Sequence, residues 1–315
     1  MIKNSRKTLP NLVGLVGSLG LTVAITFLGL MALTFFIGRV VPIDPVAAIV
    51  GAKAPKEVYD RVFHEMGMDK PAVVQFAEYL WRTLRGDFGT SFVTTRPVLT
   101  DIVAFFPATF ELATIGLLLG VITGVPAGVM SAYHHDTWVD HLIRFIGLIG
   151  YSVPIFWLAL VGLFVFYSKL DWVGGPGRLD IYYDGIVPPV TGLILVDSLL
   201  AGEQDVFWNA VGHITLPAIL LGYYSLAYIS RMTRSVMLEQ LSQEYVLTAR
   251  VKGASEFRVV IGHALRNAAI PLVTIVALSY GGLLEGSVLI ESVFSWPGIG
   301  NYIASSLFSA DMNAV

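Results

Sequence analysis

Gln243-Glu244-Tyr245-Val246-Leu247-Thr248-Ala249-Arg250-Val251-Lys252-Gly253 is a short polar segment set between two long apolar ones, and its reading decides what kind of molecule this is. Tyr245, Ala249 and Gly253 recur at every fourth position, so in a helix they share one face. Small residues on that face let another surface approach the backbone closely. Arg250 and Lys252 project from other faces, toward lipid headgroups or an acidic partner. Two readings stay open on these residues alone: a docking helix, or a loop helix lying on a membrane surface.

The flanking chain is built for a bilayer. Of 315 residues 55% are hydrophobic and 14% charged, against about 25% charged in soluble domains, which excludes an ordinary soluble fold. Without cysteine there are neither disulfides nor thiolate metal sites. Lys3, Arg6 and Lys7 precede an uncharged run from Leu12 to Gly38, which exceeds the roughly 7–15 apolar residues of a signal peptide and reads as a retained first span. Four more stretches, Ile102–Ala132, Leu142–Tyr167, Val211–Ile229 and Val259–Leu284, each approach the ~20 residues a bilayer requires. The expected fold is an all-α polytopic membrane protein with five spans.

The basic N-terminus places that end in the cytoplasm, together with the loops His134–Asp140 and Arg231–Glu256. Six basic residues from Arg231 to Arg266 agree with this orientation. The large outer segment Arg39–Asp101 holds eight basic and eight acidic residues, but loops of this length cross largely regardless of charge. It contains two amphipathic patterns, Pro55–Met66 and Ala72–Leu84. The second outer segment, Ser168–Asn209, carries Asp171, Asp180, Asp184, Asp197, Glu203 and Asp205 against Lys169 and Arg178. It reads as an acidic vestibule for cations or a peptide amine, or as a solvated loop over the helix ends. After Glu291 too few apolar residues remain for a further span, which leaves the C-terminus outside.

The polar segment continues through Phe257-Arg258-Val259-Val260-Ile261-Gly262-His263-Ala264-Leu265-Arg266-Asn267-Ala268 toward Pro271. Thr248–Gly253 and His263–Ala268 together resemble the cytoplasmic coupling loop of ABC importer permeases, in the version of the dipeptide/oligopeptide/nickel group, with Val251 as the one change. Gly86–Ser91, Pro107–Leu112, Tyr151–Trp157, Thr191–Asp197, Arg231–Ser235 and Phe294–Gly300 also resemble that group, in its order and over nearly the whole chain. Leu247 stands where the broad importer motif opens with Glu, and Arg266 where it closes with Pro. Both features resemble the peptide group and narrow the subfamily.

The resemblance implies a type I ABC importer transmembrane domain. Residues 1–96 form an N-terminal span and extracytoplasmic segment, and residues 97–315 the permease domain, with a coupling loop at about 239–258. A sixth span is expected and absent, so the native chain should continue for about 25 residues; the alternative is a five-span protein ending outside. Implied partners are a second homologous permease, two cytoplasmic ATPases and an extracytoplasmic substrate-binding protein, with membrane lipid and no nucleic acid. The implied location is the bacterial cytoplasmic (inner) membrane. ATP and Mg belong to the partner ATPases and no cofactor to this chain, in keeping with the absence of G-x-x-x-x-G-K-[ST]; the subunit is expected to be non-catalytic. ATPase coupling falls to Glu244, Tyr245, Thr248, Ala249, Arg250, Lys252, Gly253, His263, Arg266 and Asn267. Gly253 should close the helix in a left-handed cap, with Ser255 opening the next.

A second set of residues reads as translocation-path or partner contacts. Glu111, inside a span, meets a peptide amine or the partner permease, or sits hydrated at interface depth. Glu285 and Glu291 invite the same alternatives. Tyr151, Ser152, Pro154 and Trp157 line a pathway or simply pack at a proline, and Pro126, Pro154, Pro217 and Pro271 are hinges or static kinks. His134, His135 and Asp136 form a metal cluster on paper and a solvated turn otherwise, so no metal is expected. The implied cargo is peptides, with nickel, glutathione, opines or oligosaccharides as alternatives. A self-sufficient channel or secondary transporter would leave Tyr245–Gly253 without a purpose. An intramembrane enzyme lacks H-E-x-x-H and G-x-S-x-G.

Overall fold

The computed structural model describes residues 12–40, 45–51, 53–65, 67–309, 311 and 313–315, which contain helices and no strand. Lys3, Arg6, Lys7 and Met66 lie outside the described residues. The chain divides into two units, Met1–Thr100 with Ser306–Val315, and Asp101–Ser305.

The first unit holds α1 (Leu12–Val40), α2 (Pro45–Val50), α3 (Lys56–Glu65) and α4 (Ala72–Leu84). The last two fall where the amphipathic patterns placed them. Phe35 and Phe36 of α1 meet Phe76 and Tyr79 of α4 with ring centroids 5.4 to 6.1 Å apart. In the loop after α4, the Asp311 carboxylate accepts the Ser91 hydroxyl at 2.6 Å and the Phe92 N–H at 2.7 Å.

The second unit is built on α5 (Val98–Tyr133), α6 (Trp138–Ser152), α7 (Ile155–Gly162), α8 (Ile194–Ala201), α9 (Gln204–Leu241), α10 (Glu244–Val251), α11 (Arg266–Val293) and α12 (Ile299–Phe308). α7 runs on as a π-helical turn to Lys169, and a second π turn, Arg258–Leu265, leads into α11. Among the described residues four helical segments are long and apolar enough to cross a membrane, and α6 with α7 makes a fifth if the bent pair counts as one span. That pair bends by 95° within the stretch expected as one span, Leu142–Tyr167, at the proline named there as a kink. Pro154 lacks an N–H and pushes Val153 into an extended conformation, which ends α6. Pro107, Pro126, Pro217 and Pro271 instead sit inside continuous helices. α9 also outruns its apolar stretch at both ends, because polar residues from Gln204 and past Arg231 keep the helical pattern.

The centre of this unit is a glycine seam. Gly116, Gly120, Gly124 and Gly128 of α5 face Leu221, Ser225, Ile229 and Thr233 of α9. A Cβ on these glycines would stand 2.8, 2.5, 3.2 and 2.5 Å from those side chains. Lipid offers no hydrophobic drive between helices, so close backbone approach and van der Waals contact hold them together. The Ser225 and Ser279 hydroxyls, 2.9 Å apart, tie α9 to α11.

Candidate functional site

α9 ends at Leu241, and Gln243, in extended conformation, turns the chain into α10. Val246 anchors this helix. It is fully buried in a cluster with Ile229 and Met237 of α9, Val259, Val260 and Ala264 of the π turn, and Ala268 of α11. Tyr245 and Ala249 pack against the same cluster, and the Tyr245 hydroxyl donates to Gln240 Oε1 at 2.9 Å. The face that carries them is therefore turned inward, onto this chain. Gly253 does not share it, because the helix stops at Val251.

The expected left-handed cap is present. Gly253 has φ +80°, its N–H donates to the Arg250 carbonyl at 2.9 Å, and the Ala254 N–H reaches the Ala249 carbonyl at 3.1 Å. These are the paired bonds of a Schellman stop. The Val259 N–H bonds to the Ser255 carbonyl, opening the next helical segment.

The outward face of α10 is different from the one the spacing suggested. Leu247 and Val251 are 63% and 80% exposed, and Phe257 just past the cap is 77% exposed. Around them Glu244, Thr248, Arg250 and Lys252 are exposed, as are His263, Arg266 and Asn267 on the following turns. Arg250 grips Glu256 with two bonds of 3.0 and 3.2 Å, an open pair worth about 0–1 kcal/mol. The apolar pair Leu247–Val251, four residues apart in a polar segment, was the available signal for this face.

Glu111 is buried, accepting Arg178 at 2.6 Å and the N–H groups of Ile194 and Leu195 at 3.2 and 2.9 Å. Its charge is thus met within the chain. Arg178 lies 5.7 Å from the Trp296 ring, whose Nε1–H donates to the Ala108 carbonyl at 3.0 Å. Glu291, fully buried, accepts from Thr109 and Ser287 and from the Asn301 N–H at the start of α12, a carboxylate cap on a helix N-terminus. Glu285 is exposed, as are Tyr151, Ser152, Pro154 and Trp157 around the break in the third span.

The acidic outer segment also spends charge internally. Burial pushes the Asp197 carboxyl up, but hydrogen bonds from the Thr191 hydroxyl and the N–H groups of Thr191, Gly192 and Val190 outweigh it and hold the group below its ordinary value. His135, Asp136 and Asp140 lie near enough to share an ion, yet Arg234 already meets Asp140 with two bonds of 2.7 Å and supplies the countercharge.

Residues 124–315 match the family model of the binding-protein-dependent transport system inner membrane component, and residues 15–113 match the N-terminal model of such membrane components. The chain is 43% identical over 289 residues to the probable D,D-dipeptide transport system permease protein DdpB of Escherichia coli (strain K12), covering 91% of this chain and 84% of that protein. It is 43% identical over 291 residues to the di/tripeptide transport system permease protein DppB of Pseudomonas aeruginosa (strain UCBPP-PA14), covering 92% and 86%. Against the dipeptide transport system permease protein DppB of Escherichia coli (strain K12), identity is 39% over 301 residues, covering 94% and 88%. Helical throughout its described spans and matched in both halves, the chain belongs to the family of binding-protein-dependent transport system inner membrane components, the multi-pass permease subunits of ABC importers.

Proposed function

We propose that this subunit forms half of the pathway of an ATP-driven importer of short peptides, coupled to cytoplasmic ATPases through the outward face of α10. The relatives above are named for dipeptide and di/tripeptide transport. The observation that carries the coupling role is the contrast within α10: Val246 rooted in the core shared by α9 and α11, Leu247 and Val251 bare. A partner that grips the bare face moves a helix fixed to two spans, and so rocks them between inward- and outward-open states.

In this reading residues 97–315 are the permease domain and residues 1–96 the N-terminal span with its outer segment. The N-terminus and α10 are cytoplasmic. A second homologous permease completes the pathway, two ATPases hold ATP and Mg, and an extracytoplasmic binding protein delivers the peptide. The chain itself performs no catalysis. Purification from its native membrane tests this: two ATPase chains with phosphate-binding loops should accompany the subunit, and a homo-oligomer without them overturns the proposal.

A further inference from the structure

The cytoplasmic ends of α5, α6 and α9, by the proposed orientation, enclose a cleft of about 710 Å³ that the coupling role does not use. Arg144, Arg231, Arg234, His135 and His141 line it, beside Phe145 and Leu148. Asp136 also lines it, 3.1 Å from His135, while Asp140, buried and outside the lining, is held by Arg234. Arg144 and Arg231 are exposed, with no carboxylate among their described contacts. The Arg231 guanidinium lies 4.7 Å over the Tyr151 ring, which orients it at the cleft wall.

The lips of the cleft are apolar and bare. Phe145 and Leu148 are 59% and 62% exposed on one side of α6, and Trp138, 74% exposed, stands two turns before Phe145 at the membrane-surface end of that helix. Tryptophan at that depth marks the headgroup region, and cationic pockets between spans at the cytoplasmic surface suit anionic headgroups. A cationic floor with an apolar lip fits an amphiphile, whereas a free anion has no use for the lip.

We infer that this cleft is a binding site for an anionic phospholipid, with its phosphate between Arg144 and Arg231 and an acyl chain along the Phe145–Leu148 side of α6. The full chain, purified with its co-purifying subunits in mild detergent, is exchanged into vesicles of equal phosphatidylglycerol and phosphatidylcholine, re-extracted and analysed by native mass spectrometry. Retained phosphatidylglycerol should fall about tenfold or more in the Arg144→Gln/Arg231→Gln double variant, because two charge-assisted contacts are lost. Arg231→Lys, which keeps the charge and loses the planar fork, should fall between the two. In each sample a raised unfolding temperature on adding phosphatidylglycerol provides a second readout, present in the wild type and lost in the double variant. Equal retention in all three proteins, equal retention of phosphatidylcholine, or displacement of the lipid by inorganic phosphate or by a dipeptide would overturn the assignment.

Discussion

A β-carbon on Gly120 would stand 2.5 Å from both Cβ and Oγ of Ser225, so α5 and α9 meet at a distance that only glycine permits. At Gly128 the obstruction includes backbone, the Ser230 carbonyl oxygen at 2.6 Å, which cannot rotate away. Gly124 has more room, with Ile229 at 3.2 Å, and Gly147 of α6 meets nothing closer than 3.9 Å. Alanine should therefore destabilise in the order Gly128, Gly124, Gly147, from about 1–3 kcal/mol at the first to about zero at the last. Thermal unfolding in detergent checks the order. Equal tolerance at Gly128 and Gly147 would contradict the seam.

Glu111→Gln keeps the side-chain volume and removes the countercharge of Arg178, whose side chain is 17% exposed. Breaking a buried pair in this way costs about 3–5 kcal/mol, and replacing both partners with apolar residues recovers part of it. The expected result is reduced membrane abundance and a lower unfolding temperature, partly restored by Glu111→Leu with Arg178→Met. Normal abundance combined with lost peptide uptake would instead make Glu111 a transport residue.

Asp197 supplies a pH signature outside the spans. Its native pKa is depressed, so its contribution is complete above the unfolded value of about 3.9 and is lost as pH falls through the native one. Amide protection at Thr191 and Gly192, corrected for intrinsic exchange, should stay level from neutrality to about pH 5 and decline below about pH 4. Asp197→Asn should flatten that decline. A loss of protection beginning near neutrality would point to a different group.

Gly253 tests the cap apart from the proposed docking face. Nothing lies within 4 Å of a Cβ built there, so a substitution is strained only through φ +80°. Asparagine, which visits that region, should be tolerated, while valine should cost about 1–2 kcal/mol and reduce peptide uptake. Equal uptake by the two variants would separate the cap from coupling.

Much of this architecture was legible because hydropathy and amphipathic spacing are local. The apolar stretches, α3, α4 and the Gly253 stop could all be read from neighbouring residues. Arg178 as the partner of Glu111 lies 67 positions away, and no single sequence displays that pairing. The glycine spacing on α5 was visible, but its meaning required the opposing side chains of α9. On α10 the small residues suggested a docking face, whereas burial of Val246 turns Tyr245 and Ala249 inward and leaves Leu247 and Val251 outside. Spacing defines the faces of a helix; the tertiary core decides which one faces out.

The chain contains no cysteine, so single cysteines can test whether α10 meets an ATPase, as proposed, and by which face. Val251→Cys and Ala249→Cys, each treated with a short thiol–amine cross-linker in the purified complex, test the central claim most directly. Val251→Cys should cross-link to an ATPase subunit, and Ala249→Cys should remain unlinked or join only to this chain. An ATPase cross-link from position 249 with none from position 251 would contradict the account.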